Sequence, residues 1–245
     1  MDFFNDDPPG PSRRFRVRFG AIGEAWGLFK ECWPTWVVAG LMVTVANGAL
    51  LGTLHSVFRL RLPEGGGGFR IPVPPASDLV PAVIVMVVDG VLLGGLFRLA
   101  CLQVRGRRVT VADLFGVTDV LGELALGSAM LGVALTVAGT FCAVLPAFIL
   151  AGVWMFTIPL IVDARVRALD AFGLSWHALK GQWLSATLFH LAASFVAGLG
   201  LCCGFLGLFL TMPLYCLSIA VLYRDAFAEK GAGAHRKPTQ PDPDF

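Results

Sequence analysis

Residues 184–223 read LSATLFHLAASFVAGLGLCCGFLGLFLTMPLYCLSIAVLY, forty positions without one acid, lysine or arginine. A helix rises about 1.5 Å per residue and the hydrocarbon core of a bilayer is about 30 Å thick, so about 20 apolar residues cross it. The stretch is therefore two crossings, and the Gly198–Gly200 and Cys202–Gly204 region supplies the turn between them. Leu124 to Val162 repeats the pattern, with Pro146 near its middle. Proline has no N–H and clashes with the preceding turn, so it splits that stretch as well. Two single spans come earlier, Trp36–Phe58 and Leu79–Leu102. The reading is an all-α, six-helix transmembrane bundle built of three hairpins, with spans near 36–58, 79–102, 124–145, 147–162, 184–201 and 205–223.

Composition agrees. The 245 residues are 56% hydrophobic and 15% charged, with a mean hydropathy of +0.73. Soluble domains carry about 25% charged residues to coat their surface. The shortage argues against a soluble enzyme, and a net charge of +2 is too small for a nucleic-acid binder driven by bulk charge. Residues 1–18 lack the apolar core of a cleavable signal and read as a disordered cytoplasmic N-terminus. Residues 19–224 form the membrane domain, and 225–245 a disordered cytoplasmic tail.

Orientation follows from the cations. Sixteen of the 19 Lys and Arg fall before span 1, at or after the end of span 2, between spans 4 and 5, or after span 6. Only Arg59, Arg61 and Arg70 fall on the other side, in a Gly- and Pro-rich loop. Cations stay in the cytoplasm, so both termini are expected there.

An internal repeat lies 150 residues apart. Gly23, Trp26, Lys30 and Trp33 recur as Gly173, Trp176, Lys180 and Trp183, each set just before a hairpin. Apolar residues at 19, 22, 26, 29 and 33, and at 169, 172, 176, 179 and 183, step by three and four, which marks one face of a helix. A weaker echo, Asp113-Leu-Phe115-Gly116, precedes span 3. Each hairpin is therefore expected to follow an interfacial amphipathic helix, with Trp26, Trp33, Trp176 and Trp183 as anchors and Lys30 and Lys180 toward headgroups.

A resemblance appears in the second half. Pro159-Leu-Ile-Val-Asp163, Ala168-Leu-Asp170-Ala-Phe-Gly-Leu-Ser175-Trp176, Lys180-Gly181, Trp183, Pro213-Leu-Tyr215 and Ala220-Val-Leu-Tyr223 are similar to bacterial polytopic membrane proteins of the YciC-like type. They also look like the membrane domain fused to some glycerophosphoryl diester phosphodiesterases. The first half joins the resemblance only through its amphipathic lead-in. The resemblance implies the fold and a bacterial inner-membrane location. It carries over no activity, because this sequence holds no soluble phosphodiesterase domain.

Few residues can carry chemistry. Asp89 sits in mid-span 2, where an ionisable group costs about 2.5 kcal/mol or more to insert, so it needs a partner. Asn47 lies at similar depth in span 1. The pair is either a proton, cation or polar-ligand site or a structural clamp. His190 lies inside span 5 and suits packing better than proton transfer. Asp163, Arg165 and Arg167 form a cytoplasmic charge cluster, read as a solvated salt-bridge group or as a contact for headgroups or a partner. The six cysteines read as buried thiols, although Cys142 could reach Cys202 or Cys203. No catalytic set, metal-ligand spacing or cofactor motif is visible. Small residues four apart occur at Gly48/Gly52, Gly90/Gly94, Ser128/Gly132 and Gly200/Gly204, a spacing that lets membrane helices approach closely.

These features point to a non-enzymatic membrane protein that binds lipids or other membrane proteins, including a second copy of itself. The alternative is a small proton- or ion-coupled transporter using Asp89.

Overall fold

The computed structural model describes residues 10–12, 15–58, 79–142, 144–202 and 205–227. All regular structure among them is helical. In chain order the α-helices are α1 (Gly20–Glu31), α2 (Trp33–Phe58), α3 (Leu79–Val104), α4 (Leu121–Cys142), α5 (Val144–Val153), α6 (Thr157–Ala164), α7 (Ala168–Leu179), α8 (Trp183–Cys202) and α9 (Phe205–Phe227). Five segments are long and apolar enough to cross a membrane: Trp33–Leu54, Ile84–Val104, Val111–Ala138, Leu145–Ala164 and Ala168–Gly200. Helices suit that environment because they satisfy their own backbone groups.

The core collects around α9, which packs against α1, α2, α3 and α8. Its residues from Cys216 to Tyr223 are all buried, as expected of a helix apolar on every side. Glycines set the closest crossings. A Cβ on Gly90 or Gly94 of α3 would run into Ser128 or Leu124 of α4, and one on Gly132 into Met86. These pairs define one antiparallel register in which two of the small-residue spacings face each other. Across α8 and α9, Gly200 meets Gly207; Gly204 lies outside the described residues. Gly152 of α5 would place a Cβ 2.6 Å from the Thr187 Cα of α8. Gly48 and Gly52 meet nothing within 4 Å.

The fourth span departs from expectation. Pro146 sits in the first turn of α5, which starts at Val144, a place where proline is tolerated. The real interruption comes at Trp154–Phe156, between α5 and α6. Pro159 explains it, since it cannot donate to the Met155 carbonyl and its ring crowds that group.

The expected middle amphipathic helix is also absent. Residues Val111–Phe115 and Thr118–Val120 form two short 3-10 turns. Asp113 ties the first by accepting from the Thr110 N–H at 2.8 Å and the Thr110 hydroxyl at 2.9 Å.

The chain ends are less free than composition suggested. The Val17 N–H donates to Gln182 Oε1 at 2.9 Å, and Gln182 Nε2 donates to the Phe15 carbonyl at 3.3 Å. The Ser12 N–H donates to the Ala226 carbonyl at 2.8 Å. So 10–12 and 15–18, expected to be disordered, are fastened to the helical body, and α9 runs on to Phe227. Residues 1–9, 13–14, the 59–78 loop and 228–245 lie outside the described residues.

Candidate functional site

The two copies of the repeat adopt the same local structure. Each is a twelve-residue helix, α1 or α7, followed by a long helix that starts on the second tryptophan, Trp33 or Trp183. Buried positions correspond along both: Ala21, Ala25, Phe29, Trp36 and Ala39 against Ala171, Ser175, Leu179, Ala186 and Phe189. Only Ala21/Ala171 is identical among these inward pairs.

The other identities face away from the protein. Trp26, Trp33, Trp176 and Trp183 are 43%, 56%, 48% and 45% exposed. Lys30 and Lys180 are exposed as well. The Lys30 ammonium lies over the Trp26 ring, 5.9 Å from its centroid, within cation–π range. A Cβ on Gly23 or Gly173 would meet nothing within 4 Å. Trp26 also stacks on the buried Phe29, ring centroids 5.8 Å apart, so packing inside the chain accounts for part of that ring, while each repeated tryptophan keeps a large open face.

A charged ring fixes α1 to the end of α9. Arg18 bonds Asp225 and Glu24, both at 2.7 Å, and Arg224 bonds Glu24 at 2.8 Å and Asp225 at 2.9 Å. Bonds to Asp225 and then Glu24 push the Arg18 guanidinium above its ordinary value. Partial burial raises the Glu24 carboxyl, but the bonds from Arg18 and Arg224 outweigh it and leave the group below its usual range.

Asp89 and Asn47 do meet. The Asn47 amide Nδ2 donates to Asp89 Oδ1 in a short contact between α3 and α2. Both residues are half-buried, and Asn47 Oδ1 has no partner among the described residues. His190 lies apart from them, with its ring 5.9 Å from the Tyr215 ring and Ser194 Oγ 3.5 Å from its Nε2.

The expected cluster of Asp163, Arg165 and Arg167 is divided. Asp163 pairs with Arg105 of α3 and Arg165 with Asp119. Arg165 ends α6 in the left-handed region, at φ 55°, which turns it away from Asp163. Arg167 stands at the start of α7. Sequence neighbours here serve different partners.

Sequence reasoning missed two buried polar groups. Gln103, 4% exposed, accepts from Trp36 Nε1 at 2.6 Å and donates to the Leu28 carbonyl at 2.6 Å, tying α1, α2 and α3. Ser175 donates its hydroxyl to the Val153 carbonyl at 2.7 Å and accepts from the Phe156 N–H at 3.3 Å. A polar residue on an otherwise apolar helical stripe was the available signal for both.

Cys32, Cys101 and Cys216 are free thiols. The side chains of Cys142, Cys202 and Cys203 lie outside the description. Among the described residues, no group of three His, Cys, Asp or Glu is placed to hold a metal ion. No protein-family model, curated protein or solved structure matches this chain.

Proposed function

We propose that this is a polytopic protein of the bacterial inner membrane that binds lipids or partner membrane proteins, without catalysing a reaction, through α1 and α7. In this reading α9 is the sixth span, the spans form three hairpins, and both termini are cytoplasmic. One observation carries it. The residues repeated 150 positions apart as Gly, Trp, Lys and Trp point outward in both copies, while the inward pairs other than Ala21/Ala171 have diverged. Tryptophan beside lysine suits the boundary between acyl chains and headgroups. The resemblance of 159–223 to YciC-like proteins is consistent with this and rests on the residues quoted for it.

Replacement of Trp26, Trp176 and Trp183 by Ala tests the proposal. Lipid co-purification and partner pull-down should both fall; if both are unchanged, the reading fails. A cysteine at position 66 should label from outside the cell. Labelling from the cytoplasm would overturn the orientation.

A second reading, proton- or ion-coupled transport, draws on the Asn47–Asp89 contact within the membrane segments. Reconstituted vesicles decide it. If Asp89→Asn leaves proton coupling intact, the pair is a clamp.

A further inference from the structure

The lead-in segments rest on their neighbours in a cyclic order. The turn Val111–Phe115 packs on α3 and α7 packs on α6, each against the helix before it in sequence. The first lead-in, α1, packs on the last described helix, α9. That third joint brings two distant parts of the chain together and is held by non-covalent bonds alone. Gln182, just after α7, accepts from the Val17 N–H at 2.9 Å and donates to the Phe15 carbonyl at 3.3 Å.

The joint at the start of α7 is fastened in a similar way but with acids. The Ala168 N–H donates to Glu123 at 2.8 Å, and Asp119 pairs with Arg165. Asp113–Gly116 and Asp170–Gly173 are 57 residues apart, and the same offset puts Glu123 at the position of Lys180. At the end-to-end joint the acids that reach residues 15–18 are Glu24 and Asp225, and both are taken by Arg18 and Arg224. Arg16 and Lys180 are exposed and make no ion pair or hydrogen bond among the described residues. Asp170, the acid of α7, stands ten positions from Lys180, at the other end of the helix. His177, exposed one turn before Lys180, adds no negative charge.

The bonds to Gln182 also set the direction of Arg16. Successive side chains of an extended segment point to opposite sides, and exposure alternates along 15–18. Phe15 turns inward, its ring 6.0 Å from that of Phe156, so Arg16 turns outward. Lys180 is two positions from Gln182, whose amide holds the backbone on both sides of Arg16. One side chain thus sets both free cations on the same joint.

Below them the surface is apolar. Phe19 is half exposed, with its ring 6.0 Å from that of Phe189 on α8. Leu184, Leu188, Leu191 and Phe195 are all exposed and step by four, three and four along α8, which makes one stripe down the helix. Clustered basic residues at a membrane surface attract anionic lipids, and an uncovered apolar stripe beneath them offers a seat for an acyl chain that a free anion lacks.

We propose that this joint binds one anionic phospholipid, with its phosphate between Arg16 and Lys180 and an acyl chain along the Leu184–Phe195 stripe. The inference rests on the reading that α1 and α7 lie at the membrane surface and bind lipid, and it gives that binding a place and a lipid class.

The test titrates the full chain in detergent with phosphatidylglycerol or phosphatidylcholine and counts bound lipid by native mass spectrometry. Wild type should retain one phosphatidylglycerol in preference to phosphatidylcholine. Arg16→Gln combined with Lys180→Gln should weaken that retention by about thirtyfold, roughly five- to sixfold per cation. Both side chains are exposed and bond nothing described, so the fold should stand. Arg107→Gln combined with Arg108→Gln, exposed cations beyond the end of α3, should leave retention unchanged. Equal loss in the two pairs would mean diffuse attraction and overturn the site, as would no loss in the first pair. Inorganic phosphate retained as well as phosphatidylglycerol would overturn the lipid as occupant. The variant with Trp26, Trp176 and Trp183 replaced by Ala separates the failures. If it loses co-purified lipid while the Arg16 and Lys180 pair changes nothing, the site alone falls. If neither variant loses lipid, the reading beneath it falls too.

Discussion

Gly90 of α3 lies flush against Ser128 of α4, leaving no room for even a methyl group between them. The obstacle is the serine Cβ and hydroxyl, and α4 would have to move to yield. Gly90→Ala should therefore destabilise the fold by about 1–3 kcal/mol, as overpacking does. Gly52→Ala, facing open space, should change stability by less than about 0.5 kcal/mol. Unfolding in bicelles, followed by steric trapping, compares the two directly.

Gln103→Leu should remove the acceptor for Trp36 and the donor to Leu28 at once. A buried group left unsatisfied costs about 1–3 kcal/mol. Pairing the change with Trp36→Phe removes one of the stranded groups. The double variant should lose less stability than the two single losses added together, which a thermal-melt cycle in detergent would measure.

The ring around Glu24 sets an acid limit on the docking of α1. Its carboxyl sits below its usual range in the folded protein, and an unperturbed Glu titrates near about 4.3. Its contribution is complete above that unfolded value and is lost as pH falls through the folded one. Protection factors of the α1 amides, which correct for the intrinsic pH dependence of exchange, should be flat from neutral pH to about 5 and fall below about 4. Glu24→Gln should abolish the pH dependence. The residues are partly exposed, so its effect at neutral pH should stay under about 1 kcal/mol.

The Asn47–Asp89 contact should behave as a pair. In membranes, polar side-chain couplings average about 0.6 kcal/mol and reach about 1.7 kcal/mol. A double-mutant cycle with Asn47→Leu and Asp89→Leu should give a coupling within that range. Asp89→Asn, which can still accept from Asn47, should retain most of it. Zero coupling would mean that the short contact does not hold α2 to α3.

Much of the helix pattern was legible because lipid imposes a simple rule on length and polarity. Four of the six expected spans begin and end within three residues of single helices; a fifth stops four residues before α9 ends at Phe227, and the remaining one is divided between α5 and α6. The lead-ins α1 and α7 were legible from aromatic spacing and from the repeat. The break in the fourth span followed the same proline rule that was applied to Pro146, but at Pro159. Partners across the bundle were not legible. Asp163 stands two residues from Arg165 yet pairs with Arg105, since a left-handed residue after α6 reverses the direction of the chain. Nor did the order of the helices show that α1, the first of them, would rest on α9, the last described.

That placement has a consequence for synthesis. The helix on which α1, α2, α3 and α8 converge, α9, is C-terminal to every other helix described. The helices α1, α2 and α3 all dock on it, so they leave the ribosome long before their shared partner exists. Contacts between distant parts of a chain form late and slowly. Until α9 arrives, Gly40 of α2, whose Cβ would lie 3.4 Å from the Phe209 Cα, and Phe97 of α3, beside Tyr215, must be held by lipid or by a chaperone. Nascent chains stalled before Phe205 should therefore be degraded readily, and release past Phe227 should be the step that makes the bundle protease-resistant.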